Sequence, residues 1–352
     1  MIQDRQRFFI QLDSATQGTI SALTTALKME SEHGLMGLIK SNWQTITHQP
    51  CMLGESPFWH PHEQRLYWVD IAGRKILRTQ PGQDVIETWA MPSEPGCIAP
   101  GANGGLVLAL RQGVFRAREW GGPLQPIATL DYNPTQMRAN DGKCDAFGRF
   151  WIGTLDETRV ARNAALYSLD CRAGATPQIE RQLDQTVLPA STANGLAWSP
   201  DDRTLYWADT PSHTIHAWDY DLSRNRLMGQ RTFAQFSPKA PGWQFDRADD
   251  NAGYLGRPDG AAVDVQGNYW VAMYEGRRVC QLASDGSLLA EFVTPAQCPT
   301  MPCFGGEDLQ TLYLTTARQG RSTAELAHLP ESGCVFAMRV PVPGLPVNFF
   351  VD

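Results

Sequence analysis

One phrase recurs along this chain at intervals of roughly fifty residues, and that recurrence limits the fold more than any single segment does. Residues 56–79, 194–221 and 258–286 each run through an apolar strand, a polar turn, an alternating aromatic strand, a second turn and a third strand. The first turns carry the residues that tight hairpins demand, in Pro61-His62-Glu63-Gln64, Pro200-Asp201-Asp202 and Gln266-Gly267-Asn268. Weaker copies at 97–118, 140–170 and 300–318 fill the gaps, which makes six units over residues 50–352. Three strands per unit are legible, and a fourth must come from the intervening segments. Six four-stranded sheets around a central channel make a six-bladed β-propeller, an all-β ring. A sandwich can use similar strands, but it does not require the same phrase in every unit. Closing a ring also removes exposed sheet edges. The segment Trp43–His48 is expected to join the last blade, so that both chain ends fasten the ring.

The excess over one ring lies at the N-terminus. Residues 1–44 read as a short extension and residues 45–352 as the propeller domain. Within the extension, Ile20, Leu23 and Leu27 have the spacing of a short amphipathic helix over 20–31, and Met36 is a candidate start of the chain. Lys plus Arg number 30 and Asp plus Glu 37, with the signs scattered, so the basic stripe of a nucleic-acid binder is missing. No apolar run approaches the ~18 residues of a membrane span. The first residues lack the apolar core of a signal peptide, and a cytoplasmic location is expected. None of the 8 Cys stand as C-x-x-C, which removes zinc ribbons and thioredoxin-like chemistry and points to buried free thiols. The expected partner is a small molecule, and the expected state a monomer or weak homo-oligomer.

The common catalytic motifs are absent: no G-x-S-x-G elbow, H-E-x-x-H, Walker A or G-x-G-x-x-G occurs. His60 and His62 fall at a hairpin turn, where a solvated role is expected rather than a metal role. The repeat itself marks the candidates. At the start of the first strand in four units stand Glu55, Asn140, Asn194 and Asp259, which should face one end of the channel. Taken singly, Asn-Gly and Asp-Gly are ordinary turn signals. Their recurrence in register with the repeat, together with Glu55, is what singles them out. Two carboxylates and two amides around one axis make a hard, oxygen-rich site suited to a divalent cation.

These phrases resemble the SMP-30/gluconolactonase/regucalcin-like family of six-bladed propeller lactonases. The matching segments are 53–61, 66–71, 138–154, 193–210, 257–272 and 305–318, so the resemblance spans residues 45–352. It implies a metal held by Glu55, Asn194 and Asp259, and substrate contacts from Arg138 and Asn140. The implied cofactor is one divalent cation (Ca, Zn, Mg or Mn), and the implied reaction is hydrolysis of a sugar lactone to the aldonic acid. Asp259 is then expected to be both ligand and general base. Two departures stand out. Ser56 replaces the usual Gly, and residues 236–256 form an insertion, with Trp243, Arg247 and three Asp, just before Asp259. A further acidic contact falls ambiguously on Asp156 or Glu157. The rivals from other classes are a non-catalytic metal-binding propeller and a protein-binding propeller of the YWTD type. Tyr67-Trp68-Val69-Asp70 and Tyr206-Trp207-Ala208-Asp209 resemble the repeated phrase of the latter.

Overall fold

The computed structural model describes residues 41–83, 85–172, 176–245 and 253–352. The helix expected over 20–31, Met36 and the middle of the 236–256 insertion lie outside the described residues. The described strands form six four-stranded antiparallel sheets. Blade 1 holds β2 (Gly54–His60), β3 (Arg65–Asp70), β4 (Lys75–Thr79) and β5 (Ile86–Ala90). Blade 2 holds β6 (Pro95–Pro100), β7 (Leu106–Leu110), β8 (Gly113–Ala117) and β9 (Gln125–Ala128). Blade 3 holds β10 (Met137–Cys144), β11 (Phe150–Asp156), β12 (Leu166–Asp170) and β13 (Gln178–Leu183). Blade 4 holds β14 (Ala193–Trp198), β15 (Thr204–Asp209), β16 (Thr214–Asp221) and β17 (Arg226–Gln235). Blade 5 holds β18 (Arg257–Val263), β19 (Tyr269–Tyr274), β20 (Arg278–Leu282) and β21 (Leu288–Val293). Blade 6 holds β22 (Cys298–Gly305), β23 (Thr311–Ala317) and β24 (Phe336–Arg339), with β1 (Gln44–Thr45) from the other end of the chain as its outer strand. The pairs Gln44–Ala337 and Thr45–Phe336 close the ring.

The recurring aromatic strand is the second strand of its blade. Trp68, Trp151, Trp207 and Trp270 lie there with at most 1% of their surface exposed, packed between neighbouring sheets. Two of the hairpins before them show why the phrase recurs. Asp145 Oδ1 accepts from the backbone N–H of Phe147 and Arg149 at 2.9 and 3.0 Å, while its Oδ2 accepts from Trp151 Nε1 at 3.1 Å. Asp264 repeats this with Gln266, Asn268 and Trp270, each at 2.9 Å. One buried carboxylate thus pins the turn and sets the rotamer of the next core tryptophan.

The far end of the channel is closed by the chain's own end. Leu345 N donates to Val263 O at 3.1 Å, Phe350 N to Pro100 O at 2.8 Å, and Val351 N to Gly148 O at 3.1 Å. Residues 345–348 and the lower halves of the inner strands enclose a largely apolar cavity of about 120 Å³ into which Lys143 projects. His60 departs from the expectation of a solvated turn. It is buried at the end of β2, because Phe349 of this tail packs edge-on against it with ring centroids 5.5 Å apart. Phe350 is fully buried against Phe150. Phe350→Ala is expected to lower stability by about 3–5 kcal/mol, read as a shift in the urea midpoint. A loss under about 1 kcal/mol would show that the tail is not part of the cooperative fold. All eight cysteines are buried free thiols. Among the described residues no helix is long and apolar enough to cross a membrane.

Candidate active site at one end of the channel

All six inner strands lose register near the same level. The shifts fall between Glu55 and Phe58, Pro95 and Cys97, Ala139 and Gly142, Asn194 and Ala197, Pro258 and Ala261, and Pro299 and Met301. A β-bulge re-aims side chains that regular pleating would send elsewhere. The Asn-Gly and Asp-Gly pairs are therefore bulges inside strands, not hairpin turns. Gly195 has φ +61°, and a Cβ there would come within 2.3 Å of the Tyr269 hydroxyl, which donates to Gly195 O at 2.6 Å. Ser56 holds φ +48°. Its hydroxyl accepts from Ile98 N at 3.0 Å, a bond to the next blade that offsets part of the backbone strain.

The YW-x-D phrases anchor the strands that carry Glu55 and Asn194. Asp70, at the end of β3, accepts from the N–H groups of Met52 and Leu53 at 3.0 Å, in the loop that delivers Glu55. Asp209, at the end of β15, accepts from Ser191 and Thr192 at 3.0 and 3.1 Å, in the loop that delivers Asn194. Asp156 does the same kind of work at the end of β11. It is buried and accepts from Thr158 and from Asn163 N, so it is consumed by its own turn. Glu157 instead pairs with Arg111 at 2.9 Å and lies 3.8 Å from Arg138, which separates the two carboxylates that the sequence left ambiguous.

Arg138, Asn140, Asn194, Asp259 and Glu55 are all buried at this end of the channel. Four of them lie on one line of hydrogen bonds or beside it. Arg138 Nη1 donates to Asn140 Oδ1 at 2.7 Å, and Asn140 Nδ2 donates to Asn194 Oδ1 at 2.8 Å and to Ala193 O at 2.9 Å. Asn194 Nδ2 donates to Thr210 Oγ1 at 2.7 Å, and that hydroxyl donates to Pro258 O, also at 2.7 Å. A hydroxyl has one proton. Thr210 spends it on Pro258 and must accept from Asn194, so the Asn194 amide has one orientation, with Oδ1 on the Asn140 side. The chain of bonds ends on the residue just before Asp259. Both Asn140 Nδ2 protons are committed within the protein, leaving only lone-pair capacity on its Oδ1.

The electrostatics of the site are one-sided. Burial pushes the Glu55 carboxyl well above its ordinary range, and the nearby Asp259 and Asp141 push it further. Asp259 is raised well above its ordinary range by burial and then by Asp141. Asp141 is itself raised by burial, though Lys143 and the N–H groups of Leu196, Gly142 and Gly195 ease it. Its Oδ2 accepts from Leu196 N at 2.8 Å, while Oδ1 has no hydrogen-bond partner. Burial likewise pulls Lys143 and Arg138 below their ordinary values. Arg138, Lys143 and Arg257 ease these three buried carboxyls from a distance, but among the described residues none of them forms an ion pair with Glu55, Asp141 or Asp259, and a buried carboxylate without a close partner is costly. A divalent cation would relieve that cost, and oxygen donors of this kind fit one. Among the described residues no three His, Cys, Asp or Glu side chains form a metal cage, so the amide oxygen of Asn194 and water would have to complete the coordination.

Sequence reasoning missed Asp141, Lys143 and Thr210. Asp141 and Lys143 stand in the same Asn140-to-Lys143 phrase as a marked residue, but nothing in one strand says which side chains meet across the channel. Thr210 follows the YW-x-D phrase directly, the one local sign that it sits beside the Asn194 strand.

A six-bladed ring with a bulge on every inner strand and a buried oxygen cluster at one mouth defines a propeller with an axial polar site. Residues 53–318 match the family model described as the SMP-30/Gluconolactonase/LRE-like region. The 6-deoxy-6-sulfogluconolactonase of Pseudomonas putida is 38% identical over 305 residues, 87% of this chain and 97% of that one. Regucalcin of Danio rerio is 33% identical over 300 residues, 84% and 93% of the two chains. The chain belongs to the SMP-30/gluconolactonase/LRE-like family. In fold it is also similar to the crystal structure of a calcium-binding protein, regucalcin, from Agrobacterium tumefaciens, with a TM-score of 0.79 at 22% identity over 90% of this chain and 99% of that one.

Proposed function

We propose that this protein hydrolyses a sugar lactone to the aldonic acid, with one divalent cation at Glu55, Asn194 and Asp259. The observation that carries the reading is the cluster of buried carboxyls without an ion-pair partner beside an Asn194 amide locked in one orientation. Family membership supports the reaction class, and the name of the Pseudomonas putida relative points to a gluconolactone skeleton. An all-oxygen donor set suits Ca²⁺, Mg²⁺ or Mn²⁺ better than Zn²⁺, which favours nitrogen and sulfur.

A cation held there supplies Lewis acidity toward the lactone carbonyl oxygen. Asp259 takes a proton from the attacking water, whose oxygen bonds to the carbonyl carbon. The ring C–O bond then breaks, and the proton passes from Asp259 to the departing ring oxygen, leaving an acid and a hydroxyl. Arg138 spends Nη1 on Ala139 O and Asn140 Oδ1, which orients its planar fork and leaves Nη2 for substrate oxygens. Asn140 is left with an acceptor for a sugar hydroxyl. The test is base uptake in a pH-stat with glucono-1,5-lactone and each cation in turn. Hydrolysis above the spontaneous rate, lost with EDTA, is expected. Cation binding without hydrolysis of any aldonolactone would return the protein to the non-catalytic class.

Thr210 offers a sharper check on the ligand set. Thr210→Val keeps the shape but removes the hydroxyl that fixes the Asn194 amide. Cation affinity measured by calorimetry is expected to weaken about 10- to 100-fold, and Thr210→Ser to restore it. Unchanged affinity in Thr210→Val would take Asn194 Oδ1 out of the ligand set.

A further inference from the structure

Arg138 approaches a carboxylate without bonding to it. Its Nε lies 3.8 Å from Glu157 Oε1, beyond hydrogen-bond range. The same oxygen accepts from Arg111 Nη2 at 3.0 Å, and Oε2 accepts from Arg111 Nη1 at 2.9 Å. Two arginines thus face one carboxylate, and Arg111 holds it with both ends of a planar fork. Those bonds are the main reason the Glu157 carboxyl sits below its ordinary range, so it is ionised at neutral pH. Among the described residues this carboxylate makes no other hydrogen bond. It is 38% exposed, so packing alone does not lock it.

Arg111 is itself tightly held. It stands in the turn between β7 and β8, and its Nε donates to Glu94 Oε2, just before β6, at 2.9 Å. Its Nη1 also reaches Pro134 O at 3.0 Å and Met137 O at 3.3 Å, in the segment that enters β10 and delivers Arg138. Tyr132 Oη donates to Arg111 O at 2.8 Å. Glu94 is shared with Arg74, at 3.1 Å. Arg111 is thus a clasp between blade 2 and the two ends of blade 3 that flank Arg138.

Arg138 is held from one side only. Its Nη1 is committed to Ala139 O and Asn140 Oδ1, and among the described residues Nη2 has no hydrogen-bond partner. Glu55 faces it from the channel side at longer range, without an ion pair. The open edge, Nε with Nη2, is a pair of parallel donors of the kind a carboxylate takes side-on. Glu157 would have to move only about 1 Å to reach it. With Arg111 in place, that movement breaks two shorter charge-assisted bonds.

Resting on the lactonase reading, in which Nη2 meets substrate oxygens, we infer that Arg111 is a positioning residue: it holds Glu157 away from Arg138 and keeps the Nε–Nη2 edge open to the lactone. Without Arg111, Glu157 competes with the substrate for the same donors.

The test is KM for glucono-1,5-lactone, in the protein loaded with the cation that supports activity. Arg111→Met is expected to raise KM roughly 10- to 100-fold, with kcat changed far less, the pattern of binding lost equally from ground state and transition state. Adding Glu157→Gln to Arg111→Met removes the competing carboxylate and is expected to return KM most of the way to the wild-type value. KM does not depend on how much of a preparation is folded, so a merely destabilised variant would not show this recovery. Arg111→Lys keeps a charge beside Glu94 and Glu157 but cannot hold both Glu157 oxygens in a fork. It should raise KM by less, and it carries the same comparison if Arg111→Met does not fold. A wild-type KM in Arg111→Met, or a double variant whose KM is no lower than that of its Arg111 parent, would overturn the role of Arg111 while leaving the lactonase intact. A wild-type protein that hydrolyses no aldonolactone would overturn both.

Discussion

Asp259→Asn is expected to lower kcat/KM on an aldonolactone by about a thousand-fold or more and, in the absence of cation, to raise the melting temperature. The loss of activity combines a missing general base, worth about 10²–10⁴, with a missing ligand. The gain in stability follows from the sign of the pKa shift. Asp259 is raised well above its ordinary value by burial and by Asp141, so the fold disfavours its ionised form. At neutral pH the unfolded chain ionises this group freely and the metal-free native state does so at a cost. The amide is nearly isosteric and carries no charge, so the substitution removes that cost and some of the pressure on Glu55. A merely misfolded variant would lose activity and melt lower. The assignment fails if Asp259→Asn keeps near-native turnover, or if its metal-free form is less stable than the wild type.

The second large effect couples pH and cation. Glu55 and Asp259 both have folded pKa values above their unfolded ones. In the range between the two, the native state binds more protons, so metal-free stability falls as pH rises above the ordinary carboxylate range. A cation needs both groups ionised and displaces their protons, so its affinity rises with pH over the same range. The melting shift produced by a fixed cation concentration should therefore grow with pH, reaching the equivalent of about 2.7 kcal/mol at a hundred times Kd. Buried His60, His213 and His216, whose pKa values are lowered by burial, stabilise in the opposite direction as they lose their protons. Comparing the protein with and without cation at each pH cancels them. A shift independent of pH would mean that the cation binds elsewhere.

The ring was legible because each blade must solve the same packing problem with the same few residues. Asp145 with Trp151 and Asp264 with Trp270 repeat one local device, and local devices leave marks in sequence. The level of the candidate site was legible for the same reason, since Glu55, Asn194 and Asp259 each stand at the bulge of the first strand of their blade. The YW-x-D phrases were legible too, but their meaning was not. They suggested a rival class of propeller, whereas Asp70 and Asp209 hold the loops that deliver Glu55 and Asn194. His60 was placed in solvent because nothing near it in the chain predicts Phe349, which comes from the opposite terminus.

By itself the sequence determined the number of blades, the identity of the inner strands and the height on them at which polar side chains enter the channel. Periodicity and turn chemistry act over a few residues, and they are read directly. Only the tertiary structure decided which polar groups meet. Asn140 reaches Asn194 across 54 residues and Thr210 reaches Pro258 across 48, each bond joining neighbouring blades. The bulges that aim those side chains, and the hold of Arg111 on Glu157 beside Arg138, are likewise set by packing between blades. An oxygen cluster acquires an orientation, and its carboxyls their buried setting, only when strands distant in the chain are brought around one axis.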